Sequence, residues 1–326
     1  MTETMRAVVL AAPGPVSALQ IREVPIPVPG PGWVLMRVRA FGLNRSELHT
    51  RLGLADGVTF PRIPGIEAVG EIASAPGGEF AVGQKAVTLM GGMGRVFDGG
   101  YAEYAAVPAE QVITFTSDLP WEVIGALPEM LQTAYGCLRT GLDFQHGQTL
   151  LVRGGTTSVG MMSAILAKRA GLRVFSTTRS PGKADRLRAL GVDEVLIDDG
   201  RIARRARELA PGGADIALEL VGSPTLRDTL QSLRVHGTAC FAGMVSNEWV
   251  VPDFYPIEYI PRGVRLTAYG GDYGDLPGHI LQSVLDDLAA GTLALPVDRV
   301  YRLDEIAEAH QALEDGTTLG KQVVLT

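Results

Sequence analysis

Cysteine is nearly absent: Cys137 and Cys240 are the only two in 326 residues. With no CxxC pair, a structural zinc site built from four cysteines is excluded, and both thiols read as small buried apolar residues. Positive charge is in deficit too. Against 36 Asp and Glu stand 29 Lys and Arg, for a net charge of −7, which gives no electrostatic case for nucleic acid or an anionic membrane as partner. Long apolar runs are missing, since no stretch approaches the roughly 18 residues of a spanning helix. The segment Met1–Pro15 carries Glu3 and Arg6 ahead of a short apolar run, unlike a secretory signal. These absences predict a cytoplasmic protein with no membrane partner.

What is present is enough chain for two packed cores. The first 120 or so residues hold short extended runs, Arg6–Ala11, Trp33–Ala40, Gly65–Ala73 and Tyr101–Pro108, broken by turn clusters such as Pro25–Gly30. From Gln148 onward the pattern changes. Apolar strands at Thr149–Val152, Arg173–Thr177, Glu194–Ile197, Ala214–Leu220 and Thr238–Ala242 alternate with helical segments, which predicts a parallel sheet covered on both faces. Ser180-Pro181 and Ser223-Pro224 read as helix caps followed by Pro at the first helical position, and Gly171 and Gly191 as helix ends. The last third adds a strand, Val264–Tyr269, helices at Pro277–Ala290 and Leu303–Glu314, and a closing strand, Gln322–Leu325, a tail able to complete the N-terminal domain.

Strand Thr149–Val152 runs into Gly154-Gly155-Thr156-Thr157-Ser158-Val159-Gly160 and then a helix, the context a dinucleotide fingerprint requires. Gly155 is expected to make the tight turn and Gly160 to let the helix pack, while N–H groups at the helix start hold a pyrophosphate. Thr157 stands in the place of a middle glycine and can offer its hydroxyl to phosphate. The next strand ends Thr178-Arg179-Ser180, with no acid before Asp185. An NAD site needs an acid there for the ribose 2′-OH. Thr178, Arg179, Ser180 and Lys183 suit a 2′-phosphate instead, so the expected cofactor is NADPH. The backbone at Ala242-Gly243-Met244, at a strand C-terminus, is expected to touch the nicotinamide.

Several further stretches carry a family resemblance: Pro64–Gly70, Asp98–Tyr104, Val107–Val112, Ala126–Glu129, Thr133–Tyr135, Ala214–Gly222 and Gly320-Lys321. With the glycine turn, they make the chain similar to the zinc-free medium-chain dehydrogenases/reductases, and among those to the quinone oxidoreductases. The resemblance implies an α/β fold: a GroES-like β-rich catalytic domain from residues 1–122 and 271–326, a doubly wound parallel Rossmann sheet over 123–270, and a cofactor in the cleft between them. Zinc-dependent members place metal ligands where this chain has Asn44, Ile66 and Glu129, so a zinc-free site is expected, with Glu67 and Glu129 hydrogen-bonded within the fold.

The resemblance also implies site roles. Asn44 would lie beside the nicotinamide ribose and the substrate, and His49 stands where some members place a tyrosine. Arg51 would orient a carbonyl or anionic group, and Lys321 would lie near the cofactor phosphates. The expected partner is a small hydrophobic carbonyl or quinone, reduced by NADPH. A 2-enoyl-thioester reductase or a non-catalytic NADPH-binding protein are the alternatives. A homodimer paired through Val264–Tyr269 is implied as well.

Overall fold

The computed structural model describes residues 3–326. They form two compact units, one from the chain's first 132 residues with 272–326, the other from 133–271. The first division thus falls inside a helix, ten residues beyond the 122/123 boundary read from sequence, because no turn residues mark it.

The first unit begins with a separate two-stranded sheet, β1 (Thr4–Leu10) against β2 (Leu19–Pro25). It continues through β3 (Trp33–Gly42), α1 (Arg45–Leu52), β4 (Glu67–Ser74), β5 (Lys85–Leu89), β6 (Tyr104–Pro108), β7 (Val112–Thr114) and α2 (Trp121–Ile124). Helix α3 (Pro128–Gly136) carries the boundary.

In the second unit, strands β8 (Thr149–Arg153), β9 (Arg173–Thr178), β10 (Glu194–Ile197), β11 (Ala214–Glu219), β12 (Leu233–Phe241) and β13 (Arg265–Ala268) form one parallel sheet in the order β10-β9-β8-β11-β12-β13. Helices α4 (Ser158–Arg169), α5 (Ala184–Ala189), α6 (Ala203–Leu209), α7 (Ser223–Gln231) and α8 (Pro256–Tyr259) connect them. The alternation of strand side chains divides the core into two layers. Leu150, Val152, Val174, Ile216 and Leu218 pack with Met161 and Ala164 of α4. Leu151, Phe175, Leu196, Ala217 and Ala239 pack with residues of α6 and α7 such as Ala206 and Leu230. Both faces are covered, so the strands read as nearly continuous apolar runs.

The chain then returns to the first unit with α9 (Gly278–Ala289), β14 (Val297–Arg302), α10 (Ile306–Glu314) and β15 (Lys321–Leu325). Its main sheet runs β14-β15-β3-β4-β5-β7, with β6 also on β3. The long β3 makes this possible, because β6 takes residues 33–37 and β15 takes residues 40–42. Gly70 lets β4 cross β3 closely, since a Cβ there would lie 1.9 Å from the Arg37 carbonyl oxygen. The core beneath is built from Val8, Val34, Met36, Phe41, Ala68, Ile72 and Val324.

The α/β class, with an antiparallel GroES-like sheet and a parallel Rossmann-like sheet, is as the sequence predicts. One detail differs. Gly222, not Ser223, caps α7, because the Glu219 carboxylate accepts the Val221 and Gly222 N–H groups and fixes the turn one residue earlier. Among the described residues, no helix is long and apolar enough to cross a membrane.

Candidate functional site

The glycine turn of the second unit follows β8. Here the left-handed residue is Gly154, with φ +86°, and not Gly155. Gly155 is required for another reason: a Cβ there would meet Ser176 Oγ of β9 at 1.8 Å. Gly160 is required by the turn itself, because a Cβ would lie 2.6 Å from the Gly154 carbonyl oxygen. Thr157 is the N-cap of α4. Its hydroxyl accepts from the Gly160 N–H at 3.0 Å and donates to the Gly154 carbonyl at 2.9 Å. That hydroxyl is therefore committed to the chain and not to a phosphate, which corrects the sequence expectation. The N–H groups of Thr156, Ser158 and Val159 have no acceptor among the described residues, and together they form an anion-binding start to the helix.

A buried network holds this turn from below. Arg153, the last residue of β8, is fully buried and forks onto Asp198 at 2.8 and 2.9 Å and onto Asp228 at 2.6 Å. Burial alone would raise the Asp198 carboxyl, but the Arg153 guanidinium outweighs it and holds the group below the usual carboxylate range. Asp198 also accepts from the Thr177 hydroxyl, whose oxygen accepts from the Gly154 N–H at 3.1 Å. The chain Arg153–Asp198–Thr177–Gly154 thus fixes the turn's first residue.

At the end of β9, the Thr178 hydroxyl is bonded to the backbone of Ser180. Arg179 is exposed, with no ion pair among the described residues, and Asp185 is taken up by Arg188 at 2.6 Å. Lys183 ends the single turn Pro181–Lys183. Ala242 and Gly243 follow β12, and both donate to the Glu219 carbonyl. Gly243 is needed there, because a Cβ would lie 2.7 Å from the Leu220 carbonyl oxygen. Met244 comes next, its Cα 3.6 Å from where a Cβ on Gly222 would sit. The glycine turn, the Thr178–Ser180 loop and Ala242–Met244 all lie at strand C-terminal ends, where open parallel sheets bind ligands.

In the first unit, Asn44 is the N-cap of α1 and is 7% exposed. Its N–H donates to Glu47 Oε2 at 2.9 Å, and its side-chain Nδ2 donates to Glu67 Oε1 at 2.9 Å and to Glu47 Oε1 at 3.4 Å. The Lys321 ammonium donates to Asn44 Oδ1 and to Glu67 Oε1 (2.7 Å), and lies 3.5 Å from Glu129 Oε2. Glu67 Oε2 accepts the Glu129 N–H at 2.7 Å, and Glu47 Oε1 accepts the Ile66 N–H at 2.9 Å. Gly42 makes room for the cluster, since a Cβ there would lie 2.3 Å from Lys321 Cε. Burial pushes the Glu47 carboxyl up to about 7, with the Glu67 charge adding to the rise. Burial by itself would lower the Lys321 ammonium, but Glu67 and Glu129 outweigh it and hold the group above its ordinary value.

Two expectations are corrected here. Lys321 is enclosed by first-unit side chains with no exposed surface, so it is not placed to meet a phosphate. Its position follows from β15 pairing with β3, where Val323 lies opposite Gly42. Arg51 is also buried, donating to the Gly14 carbonyl at 2.8 Å and to Glu314. It ties α1 to a loop and to α10 and presents no surface to a substrate. His49 sits in the last turn of α1, 9% exposed. Deeper in the core, the Tyr101 hydroxyl lies 3.1 Å from His310 Nε2. Burial, with Arg51 nearby, pushes the His310 imidazole down to about 3, so it stays neutral.

Glu47 was missed from sequence as a site residue. The signal was there in the Asn44-x-x-Glu47 spacing, the N-cap to N3 interval of a capping box.

Two family models match the chain: alcohol dehydrogenase GroES-like domain over residues 30–117, and zinc-binding dehydrogenase over 190–324. A probable quinone oxidoreductase of Schizosaccharomyces pombe is 26% identical over 96% of this chain and 94% of its own length. A quinone oxidoreductase of Pseudomonas aeruginosa is 27% identical over 97% of this chain and 98% of its own. A mycobacterial protein solved in complex with NADPH superposes with a TM-score of 0.86 at 28% identity, covering 99% of this chain and 100% of that one.

Proposed function

We propose, because this chain belongs to the medium-chain dehydrogenase/reductase superfamily and is quinone oxidoreductase-like in sequence, that it reduces a quinone or an activated enone with NADPH and without zinc. At the coarser level it is an NAD(P)H-dependent oxidoreductase. One observation carries the narrower reading. The acids around Asn44 already enclose a cation, the Lys321 ammonium, and the set offers neither thiolate nor imidazole. Zinc is a poor fit to such donors. Without a Lewis acid the electrophile must spread the charge it accepts, as quinones and enones do.

The glycine turn fits a dinucleotide, since three N–H groups at the start of α4 are left for an anion. NADPH, when bound, supplies the hydride. The N–H groups of Thr156, Ser158 and Val159 hold its pyrophosphate, and Thr178, Arg179, Ser180 and Lys183 surround the 2′-phosphate. The backbone of Ala242, Gly243 and Met244 borders the nicotinamide, Asn44 orients the reacting end, and His49 or a water delivers the proton. The test is NADPH oxidation with a quinone, an enone and an enoyl-CoA side by side, on protein checked by elemental analysis. Quinone or enone turnover by metal-free protein supports the reading. One tightly held zinc per chain, with activity lost on chelation, would sink it. A preference for enoyl-CoA, or binding without turnover, would replace the substrate assignment.

Arg179→Ala is expected to cost on the order of 1.5–3 kcal/mol in NADPH affinity and little for NADH, as befits a charge-assisted contact. Equal losses in fluorescence titrations of the two cofactors would show that Arg179 does not read the 2′-phosphate.

We place the protein in the cytoplasm as a homodimer paired through β13, which is an edge of its sheet. The Tyr269 N–H donates to the Phe241 carbonyl at 3.0 Å, so odd-numbered residues of this strand face β12 and Leu266 faces the free edge. Leu266→Pro removes an edge donor and should shift a dimer toward monomer. A wild-type mass by light scattering near 34.6 kDa instead of twice that would refute the dimer.

A further inference from the structure

The carboxamide of Asn44 has only one chemically allowed orientation. An ammonium can only donate, so the end facing Lys321 must be oxygen, which turns the nitrogen end toward Glu67. Both Nδ2 hydrogens point at acids, Glu67 at 2.9 Å and Glu47 at 3.4 Å. Oδ1 takes one bond from Lys321 and keeps one lone pair.

We propose that Lys321 and Glu67 are positioning residues that lock Asn44 as an acceptor, so that what it binds is a hydroxyl and never a substrate carbonyl oxygen. The inference rests on the reading that NADPH binds here and makes the hydroxyl a cofactor ribose hydroxyl. It also assigns stabilisation of the substrate oxygen to another group. The lock is built from residues far apart in sequence, Asn44, Glu67 and Lys321, all of them buried. It has no flexible member: Lys321 has no exposed side-chain surface, and Glu67 is tied by its other oxygen to the Glu129 N–H. A side chain held in this way meets its ligand without an ordering cost.

The test uses full-length protein with the double substitution Lys321→Met and Glu67→Gln, which removes both charges together and leaves neither buried alone. Because the amide that replaces the Glu67 carboxylate can donate or accept, the Asn44 amide is free to turn over. Three quantities are read: the Asn44 side-chain amide resonances in a ¹H–¹⁵N spectrum, the Kd for NADPH, and the Kd for adenosine 2′,5′-bisphosphate. The fragment carries only groups assigned to the second unit. We expect the Asn44 resonances to shift or broaden, NADPH binding to weaken roughly tenfold, the worth of one hydrogen bond, and fragment binding to stay unchanged. Unchanged Asn44 resonances, or equal weakening for NADPH and fragment, would overturn the proposal, as would a fall in Tm alone. If wild-type protein binds no NADPH, the functional reading falls, while the amide spectrum still reports on the lock.

Discussion

Replacing Arg153 by Met should destabilise the protein by about 3 kcal/mol, the lower end of what breaking a buried ion pair costs. The guanidinium is fully buried and bridges Asp198 and Asp228, whose side chains are 7% and 18% exposed. Methionine fills much of the volume but leaves two carboxylates facing each other. The loss is held toward the lower end because each acid keeps a backbone donor, Gly200 for Asp198 and Ile202 for Asp228. The pH dependence has a definite sign. In the wild type Asp198 has a lowered pKa, so its contribution is present above the unfolded value and lost as acid titrates the folded carboxyl. Without Arg153, burial, the largest influence on Asp198, is opposed only by the Gly200 and Thr177 hydrogen bonds and raises the group, so the variant recovers ground as pH falls. Urea unfolding at pH 7.5 and pH 5 should show a gap that narrows in acid. A gap below about 1 kcal/mol at pH 7.5 would mean that the network is not the anchor inferred from burial. NADPH affinity should fall too, since Asp198, the partner of the Thr177 hydroxyl that accepts the Gly154 N–H, loses the cation that positions it.

The second large effect belongs to Glu47. Its carboxyl is raised from 4.5 to about 7, first by burial and then by Glu67. The folded state therefore binds this proton more tightly than the unfolded chain does. The stabilisation is full below the unfolded pKa and is lost as pH rises from there to about 7. The loss amounts to roughly 3 kcal/mol at 1.36 kcal/mol per pH unit. Glu47→Gln removes the titration. Stability of wild type minus variant, measured by denaturant unfolding from pH 4 to pH 8.5, should decline across that window and then level off. A difference that stays flat would show that Glu47 titrates as an ordinary carboxyl, and one that rises with pH would show that folding lowers its pKa.

The parallel sheet was legible because β8, β9 and β11 are buried on both faces and each carries an apolar run, Leu150–Val152, Val174-Phe175 and Ile216–Leu218. Strands β2 and β14 were not. In β14 only Tyr301 is buried, and in β2 only Leu19, so neither gives the apolar alternation that marks a strand. The phosphate turn and its acid-free neighbour were legible for a local reason: their chemistry lies in consecutive residues. The cluster around Asn44 was only half legible. Asn44-x-x-Glu47 is local, but Lys321 lies 277 residues away and arrives solely because β15 pairs with β3. Arg51 misled for the converse reason. Its closeness to His49 in sequence suggested shared chemistry, yet Glu314 claims its guanidinium from another helix.

That late arrival of β15 sets an order of events on the ribosome. The second unit is a continuous stretch, residues 133–271, and every strand of its sheet comes from within it. It can close while synthesis is still under way. The first unit is made earlier yet must wait. Until residues 321–325 emerge, the far half of β3 has no partner on one side and the acids around Asn44 have no internal cation. The portion translated first is therefore completed last, and through that interval its open strand is the nascent chain's main invitation to chaperones.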